Sequence, residues 1–199
     1  MRWFGTRRAA GAWGIVFVVL LLVSAAMVSV PTASEPGDRI AAFYRAHASV
    51  IVVQQIAGVL ALAAFIAFAL SLPPNRWLRV ALWVFVATEL VTNLVPLAIV
   101  AMNPPSETAH HLTFVEDLAD SALFISMALF ASAVTLGERL WLRIAGYAVA
   151  FVAVIRAVGG PLGMTALDQV APLAFVAFVL VFSIKLLAGP RPAAVAPIR

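Results

Sequence analysis

The stretch SVIVVQQIAGVLALAAFIAFALSL, residues 49–72, decides the fold. It carries no charge and stops at Pro73-Pro74. At about 1.5 Å of rise per residue, some twenty apolar residues cross the roughly 30 Å hydrocarbon core of a bilayer. The stretch therefore reads as a membrane-spanning helix.

Working outward, five further runs of that length appear. A first lies at residues 13–30, after Arg2, Arg7 and Arg8. It has the basic start of a secretory signal, but it is long for one and more spans follow, so it reads as a retained helix. The third, 79–102, ends at Asn103-Pro104-Pro105. The fourth, 113–136, ends at Gly137, a natural C-terminal stop. The fifth, 140–158, is stopped by Gly159-Gly160-Pro161, and the sixth covers 167–187. The expected fold is all-α: a polytopic transmembrane bundle of about six spans in one domain, residues 1–188. A flexible cytoplasmic tail, rich in Pro and Ala, follows at 189–199. Between the first two spans, Pro31, Pro36 and Gly37 break the chain. Asp38 is expected to cap a short amphipathic helix, Arg39 to Ala46, at the interface.

Composition agrees. The chain has 199 residues, 64% hydrophobic and 11% charged. Soluble domains sit nearer half apolar and a quarter charged. The absence of cysteine excludes disulfides, thiolate catalysis and iron–sulfur clusters. The net charge of +4 does not point to nucleic acid, because the basic residues sit at span ends. The bilayer and its anionic head groups are their expected partners.

Charge also orients the chain. With the N-terminus in the cytoplasm, Arg2, Arg7, Arg8, Arg76, Arg79, Arg139, Arg143, Lys185, Arg191 and Arg199 lie inside, and only Arg39, Arg45 and Arg156 lie towards the outside. By the positive-inside rule this ten-to-three bias places both termini in the cytoplasm. Trp3, Trp13, Trp77, Trp83 and Trp141 fall near the same ends, as an interfacial belt requires.

The acids take the opposite side. Glu35, Asp38, Glu107, Glu116, Asp117, Asp120 and Asp168 fall outside or in the outer half of a span, with Gln54, Gln55, Asn93 and the three histidines. Glu89 is mid-span, where a carboxylate costs several kcal/mol unless paired, hydrated or protonated. Asn93 follows at i+4 on the same face, Thr88 and Thr92 widen the stripe, and Pro96 loosens the backbone nearby. Such a site is either a cavity-facing ligand group or packing glue between helices. Glu116, Asp117 and Asp120 crowd the start of the fourth span, where like charges repel and call for a cation among them. The dipole of a first helical turn explains Glu116 without function, whereas Asp120 is deeper. Arg156 is the lone basic residue near the outer end of a span, with Asp168, Asp120 or Glu89 as its expected partner. It fixes helix register or recognises an anionic group.

The candidate ligand-binding set is therefore Glu89, Asn93, Asp120, Arg156, Glu116, Asp168 and Gln55. No metal site is expected: His110-His111 lies on a loop beside Glu107 and Glu116 without a recognised ligand spacing, and His47 meets His111 only at the interface. No cofactor motif appears: there is no Walker loop, no Gly-rich dinucleotide turn and no GxSxG elbow. Gly58, Ala61, Ala64 and Ala131 read as small residues for helix packing.

The segment Pro36-Gly37-Asp38-Arg39-Ile40-Ala41-Ala42-Phe43-Tyr44, a long second span, and Glu138-Arg139-Leu140-Trp141-Leu142-Arg143 before the fifth together resemble a group of uncharacterised actinobacterial multi-pass membrane proteins. The resemblance covers the layout of most of the chain. It implies a six-helix bundle in the inner membrane and carries no activity and no site residues. Three functions fit. One is a protein binding a small molecule, ion or lipid head group in an outward polar pocket. Another is an accessory or structural subunit of a membrane complex. The third is an enzyme using a buried carboxylate, ranked last because no nucleophile or cofactor motif accompanies the acids.

Overall fold

A computed structural model describes residues 7–162 and 166–189. The proposed tail beyond Gly189, with Arg191 and Arg199, and Arg2 and Trp3 at the other terminus, lie outside the described residues. Six α-helices make up the fold: α1 (Arg7–Ala25), α2 (Gly37–Leu70), α3 (Arg76–Met102), α4 (Ser106–Thr135), α5 (Leu140–Gly159) and α6 (Val170–Ala188), with a single 3-10 turn at Gly160–Leu162. All six are long and apolar enough to cross a membrane.

Each helix packs on the next in sequence, and α6 closes back onto α1. Helix α4 also touches α2 and α6 and is the most enclosed, while α3 is the least. Consecutive helices alternate in direction, which sorts the chain into two ends. One end gathers Arg7, Arg8, Arg76, Arg79, Arg139, Arg143 and Lys185, and is called here the basic end. The other holds the connections after α1, α3 and α5 and almost all the acids, and is called the acidic end.

The helix starts depart from the sequence expectation for identifiable reasons. Helix α2 begins at Gly37 and runs 34 residues, or about 51 Å. The expected interfacial helix is its first part. Asp38 is not the cap, since Pro36 occupies that position with no side-chain bond to the helix. The two parts meet at a kink at His47 (φ −114°, ψ 16°), where His47 Nδ1 donates to the Phe43 carbonyl at 3.0 Å. A side chain inserted into the backbone ladder is a recognised cause of such bends. Helix α4 starts at Ser106, directly after Pro104-Pro105. His110 and His111 are thus helical rather than on a loop. Helix α3 starts at Arg76 because Asn75 caps it, accepting from the Trp77 N–H at 2.9 Å. It runs through Pro96 without a break.

Towards the basic end the core is aromatic. Phe65, fully buried, lies 4.2 Å from the Phe85 ring, 4.7 Å from Phe130 and 4.9 Å from Phe17 by centroid. A smaller cluster of Ile40, Tyr44, Ile51, Ile99 and Ala109 fills the acidic end. Outward faces are apolar as well, with Val19, Ile56, Leu94 and Phe151 all more than half exposed. A helix that is apolar all round belongs in lipid. Trp77, Trp83 and Trp141 are exposed, as a belt requires, but Trp13 packs partly against the core.

Without water to drive them together, such helices associate through close backbone packing. Gly58, Ala61, Ala64 and Ala131 are all buried, as their size suggested. One tight approach is between α1 and α6, where a Cβ on Gly14 would lie 2.0 Å from Ser183 Oγ. Gly14→Ala should therefore cost about 1–3 kcal/mol by overpacking. Removing the opposing hydroxyl with Ser183→Ala should recover part of it. Unfolding midpoints of the two single variants and the double variant, in detergent, test this. Strictly additive losses would show that the two residues do not press on each other.

Candidate functional site

The acidic end is built mainly by α4. Its residues Glu116, Asp117 and Asp120 fall within little more than one turn, Glu116 and Asp120 on a shared face, yet each reaches a different neighbour.

Asp120 faces α5. Arg156 Nη2 donates to Asp120 Oδ2 at 3.4 Å, and Arg156 Nε sits 2.7 Å from Asp168 Oδ1, across the α5–α6 connection. The second contact is an ion pair without an aligned hydrogen bond. The guanidinium also lies over the Phe124 ring, 5.0 Å from its centroid. Its side chain is only 15% exposed, whereas Asp120 and Asp168 are about 40% exposed, so the carboxylates form the open rim and the cation the floor. Gly160 makes room for it: a Cβ there would come within 1.8 Å of Arg156 Nη1.

Glu116 faces α2. The buried Tyr44 hydroxyl donates to Glu116 Oε2 at 3.3 Å. A helix dipole and free solvation are thus not its whole environment. Asp117 faces the α1–α2 connection. Its Oδ2 accepts from the Ala33 N–H at 2.8 Å, and His110 Nε2 lies 3.0 Å from the Ala33 carbonyl, so both polar backbone groups of Ala33 are held by α4. His111 pairs with Glu107 on the exposed surface and meets the His110 ring edge-on. Among the described residues no group of three or more His, Asp or Glu is placed to hold a metal ion.

Glu89 is half-buried on α3. Asn93 Nδ2 donates to both its backbone oxygen, at 2.7 Å, and its Oε1, at 3.2 Å. Asn93 reaches this place because Gly58 on α2 has no side chain; a Cβ there would meet Asn93 Oδ1 at 2.4 Å. Thr88 and Thr92 do not widen a polar stripe. Their hydroxyls donate back to the carbonyls of Val84, Phe85 and Glu89 in their own helix. The Glu89 and Asp120 carboxylates are close enough to interact electrostatically, and Glu116 and Asp168 are likewise within reach of Asp120.

Gln55 is buried one turn before Gly58, with no hydrogen-bond partner among the described residues. Its neighbour Gln54 is structural: the amide donates to the Ser24 and Val28 carbonyls at 3.2 and 2.9 Å, closing the last turn of α1.

Of the seven candidates, Arg156, Asp120 and Asp168 meet directly. Glu89 and Asn93 pair with each other beside them. Glu116 is joined to the group through its proximity to Asp120, and Gln55 lies on the facing helix. Arg156 does not contact Glu89. The candidate set leaves out Tyr44, and also Asp117 although it stands among the crowded acids of the fourth span. Tyr44 shares a helical face with Ile40 and His47, a signal that it is inward. Nothing in the sequence marks Ala33, whose backbone gives Asp117 its role. Comparison with known protein families, with curated proteins and with solved structures finds no match.

Proposed function

We propose that the chain is a multi-pass protein of the cytoplasmic membrane, with both termini inside, that binds a small ammonium-type cation at its extracytoplasmic end. The separation of the bundle into a basic and an acidic end supports the orientation, because basic residues are retained on the cytoplasmic side. The resemblance in layout to uncharacterised actinobacterial multi-pass membrane proteins is the ground for the location.

One observation carries the ligand class. Around Asp120 stand four further carboxyl groups (Glu89, Glu116, Asp117 and Asp168), faced among the described residues by the Arg156 guanidinium and, at Asp117, by His110. Arg156 is already shared by two of them, which argues against its serving as a receptor for an anion. The carboxyl groups outnumber the cations at the edge of a low-dielectric region, where an added cation would gain most by keeping them ionised. The lack of a convergent metal-ligand set among the described residues favours an organic cation.

The mutual pairing of these groups supports a second reading, in which the network only clamps helices in an accessory or structural subunit. Thermal unfolding of the purified chain at constant ionic strength separates the two. With N-methylglucamine as the reference cation, methylammonium or tetramethylammonium should raise the midpoint with the logarithm of its concentration, a stabilisation of about 2.7 kcal/mol at a hundred times the dissociation constant. Asp120→Asn should abolish the response, and Glu107→Gln, remote and exposed, should keep it. No stabilisation by either probe beyond that of N-methylglucamine would leave the clamp as the reading.

A further inference from the structure

At the basic end the bundle encloses a second feature, independent of the acidic network. A cavity of about 240 Å³ opens between the start of α1, the α2–α3 turn, the end of α4 and the last turns of α6. Its walls are mixed: Leu78, Val134 and Phe182 give an apolar side, Asn75 and Glu138 a polar one, and Arg7 also lines it. Glu138 also lines it but is ion-paired with Lys185, so that pair adds no net charge. Arg7 has no carboxylate partner among the described residues. Asn75, on the wall, already spends its amide on the Ala133 carbonyl and the Trp77 N–H.

We propose that this cavity is a binding site for the head group of an anionic phospholipid. The charge balance selects an anion: seven basic residues gather at this end against the single acid Glu138 among the described residues. The walls select an amphiphile, because a free phosphate would gain nothing from Leu78 or Phe182, whereas a glycerol backbone and the first methylenes of an acyl chain would. The volume falls below that of drug-sized pockets, which suits a head group with its chains lying outside, along the bundle. Basic residues beside membrane helices recognise such head groups by this combination of charge and partial enclosure.

Gly137 supplies a probe that leaves the charges alone. It lines the cavity, and a Cβ placed on it meets nothing within 4 Å. Its backbone does not have positive φ, so a larger residue is accepted there without strain. The experiment is native mass spectrometry of the full chain from mixed phosphatidylglycerol and phosphatidylcholine nanodiscs, with retained lipid counted during stepwise delipidation. One phosphatidylglycerol should persist after phosphatidylcholine is lost. Gly137→Leu should abolish that retention while the unfolding midpoint in lipid-free detergent is unchanged. Arg7→Gln, an exposed position safe for folding, should weaken retention about fivefold, the effect of one basic residue near an anionic surface. Equal retention of the two lipids, or normal retention in both variants, would overturn the proposal. So would equally strong binding of soluble glycerol phosphate, which would show that the chains contribute nothing.

Discussion

Arg156→Gln should destabilise the bundle by about 2–3 kcal/mol, and it should do so through the carboxylates left behind. Breaking a fully buried ion pair by deleting one partner costs about 3–5 kcal/mol. Here the guanidinium is largely buried but Asp120 and Asp168 are about 40% exposed, so solvent takes up part of the loss. The variant also empties the face of Phe124. Two companions separate charge from packing. Arg156→Gln with Asp120→Asn removes the uncompensated charge and should recover half or more of the loss. Gly160→Ala keeps every charge but places a methyl where Nη1 lies. It should displace the guanidinium and cost less, because the far end of an arginine moves easily. Unfolding titrations of the purified variants in mixed micelles give the ranking. If the double variant were as unstable as Arg156→Gln alone, the guanidinium would act by packing and not by neutralising Asp120.

That network shows how far the amino-acid order could be read. Six apolar runs gave six helices, because crossing a bilayer demands length and hydrophobicity that little else in a chain imitates. Boundaries failed where polar residues continue a helix beyond the hydrocarbon. Glu107, His110 and His111 hide the first turns of α4, and Asp38 to His47 hide those of α2. Hydropathy sees only the buried stretch, whereas backbone hydrogen bonding carries on into the interface. Pairing was legible when few partners were available. Arg156 had little choice but the acids of its own end, and it took Asp168 and Asp120. Glu116 was not legible, since its partner Tyr44 lies 72 residues away on a helix whose rotation depends on the kink at His47. Asn93 likewise owes its burial to Gly58, which in sequence reads only as a small residue.

Phe65→Ala should be the most damaging apolar substitution in the chain. In water the loss would combine transfer and cavity terms, but here the unfolded helices stay in lipid, which is about as apolar as the core. Only the packing part remains. At about 24 cal/mol per Å³ of unrelaxed void, a gap of roughly 100 Å³ costs about 2.4 kcal/mol. Phe65 also holds ring contacts to Phe17 on α1, Phe85 on α3, Phe130 on α4 and Phe175 on α6, so the rings of four other helices lose a neighbour at once. Relaxation at such a junction requires several helices to move together, which argues for a void that stays open and a total loss of about 3–4 kcal/mol once aromatic contacts are added. Phe65→Leu fills most of the volume and should cost less than half as much. Val19→Ala, on the outward face of α1, should be close to neutral because lipid fills the space. The measurement is the midpoint of denaturation for the three variants under one detergent condition. Losses for Phe65→Ala no larger than for Val19→Ala would mean that the five rings do not form the packed centre of a closed bundle, and the ring of helices from α1 round to α6 would have to be redrawn.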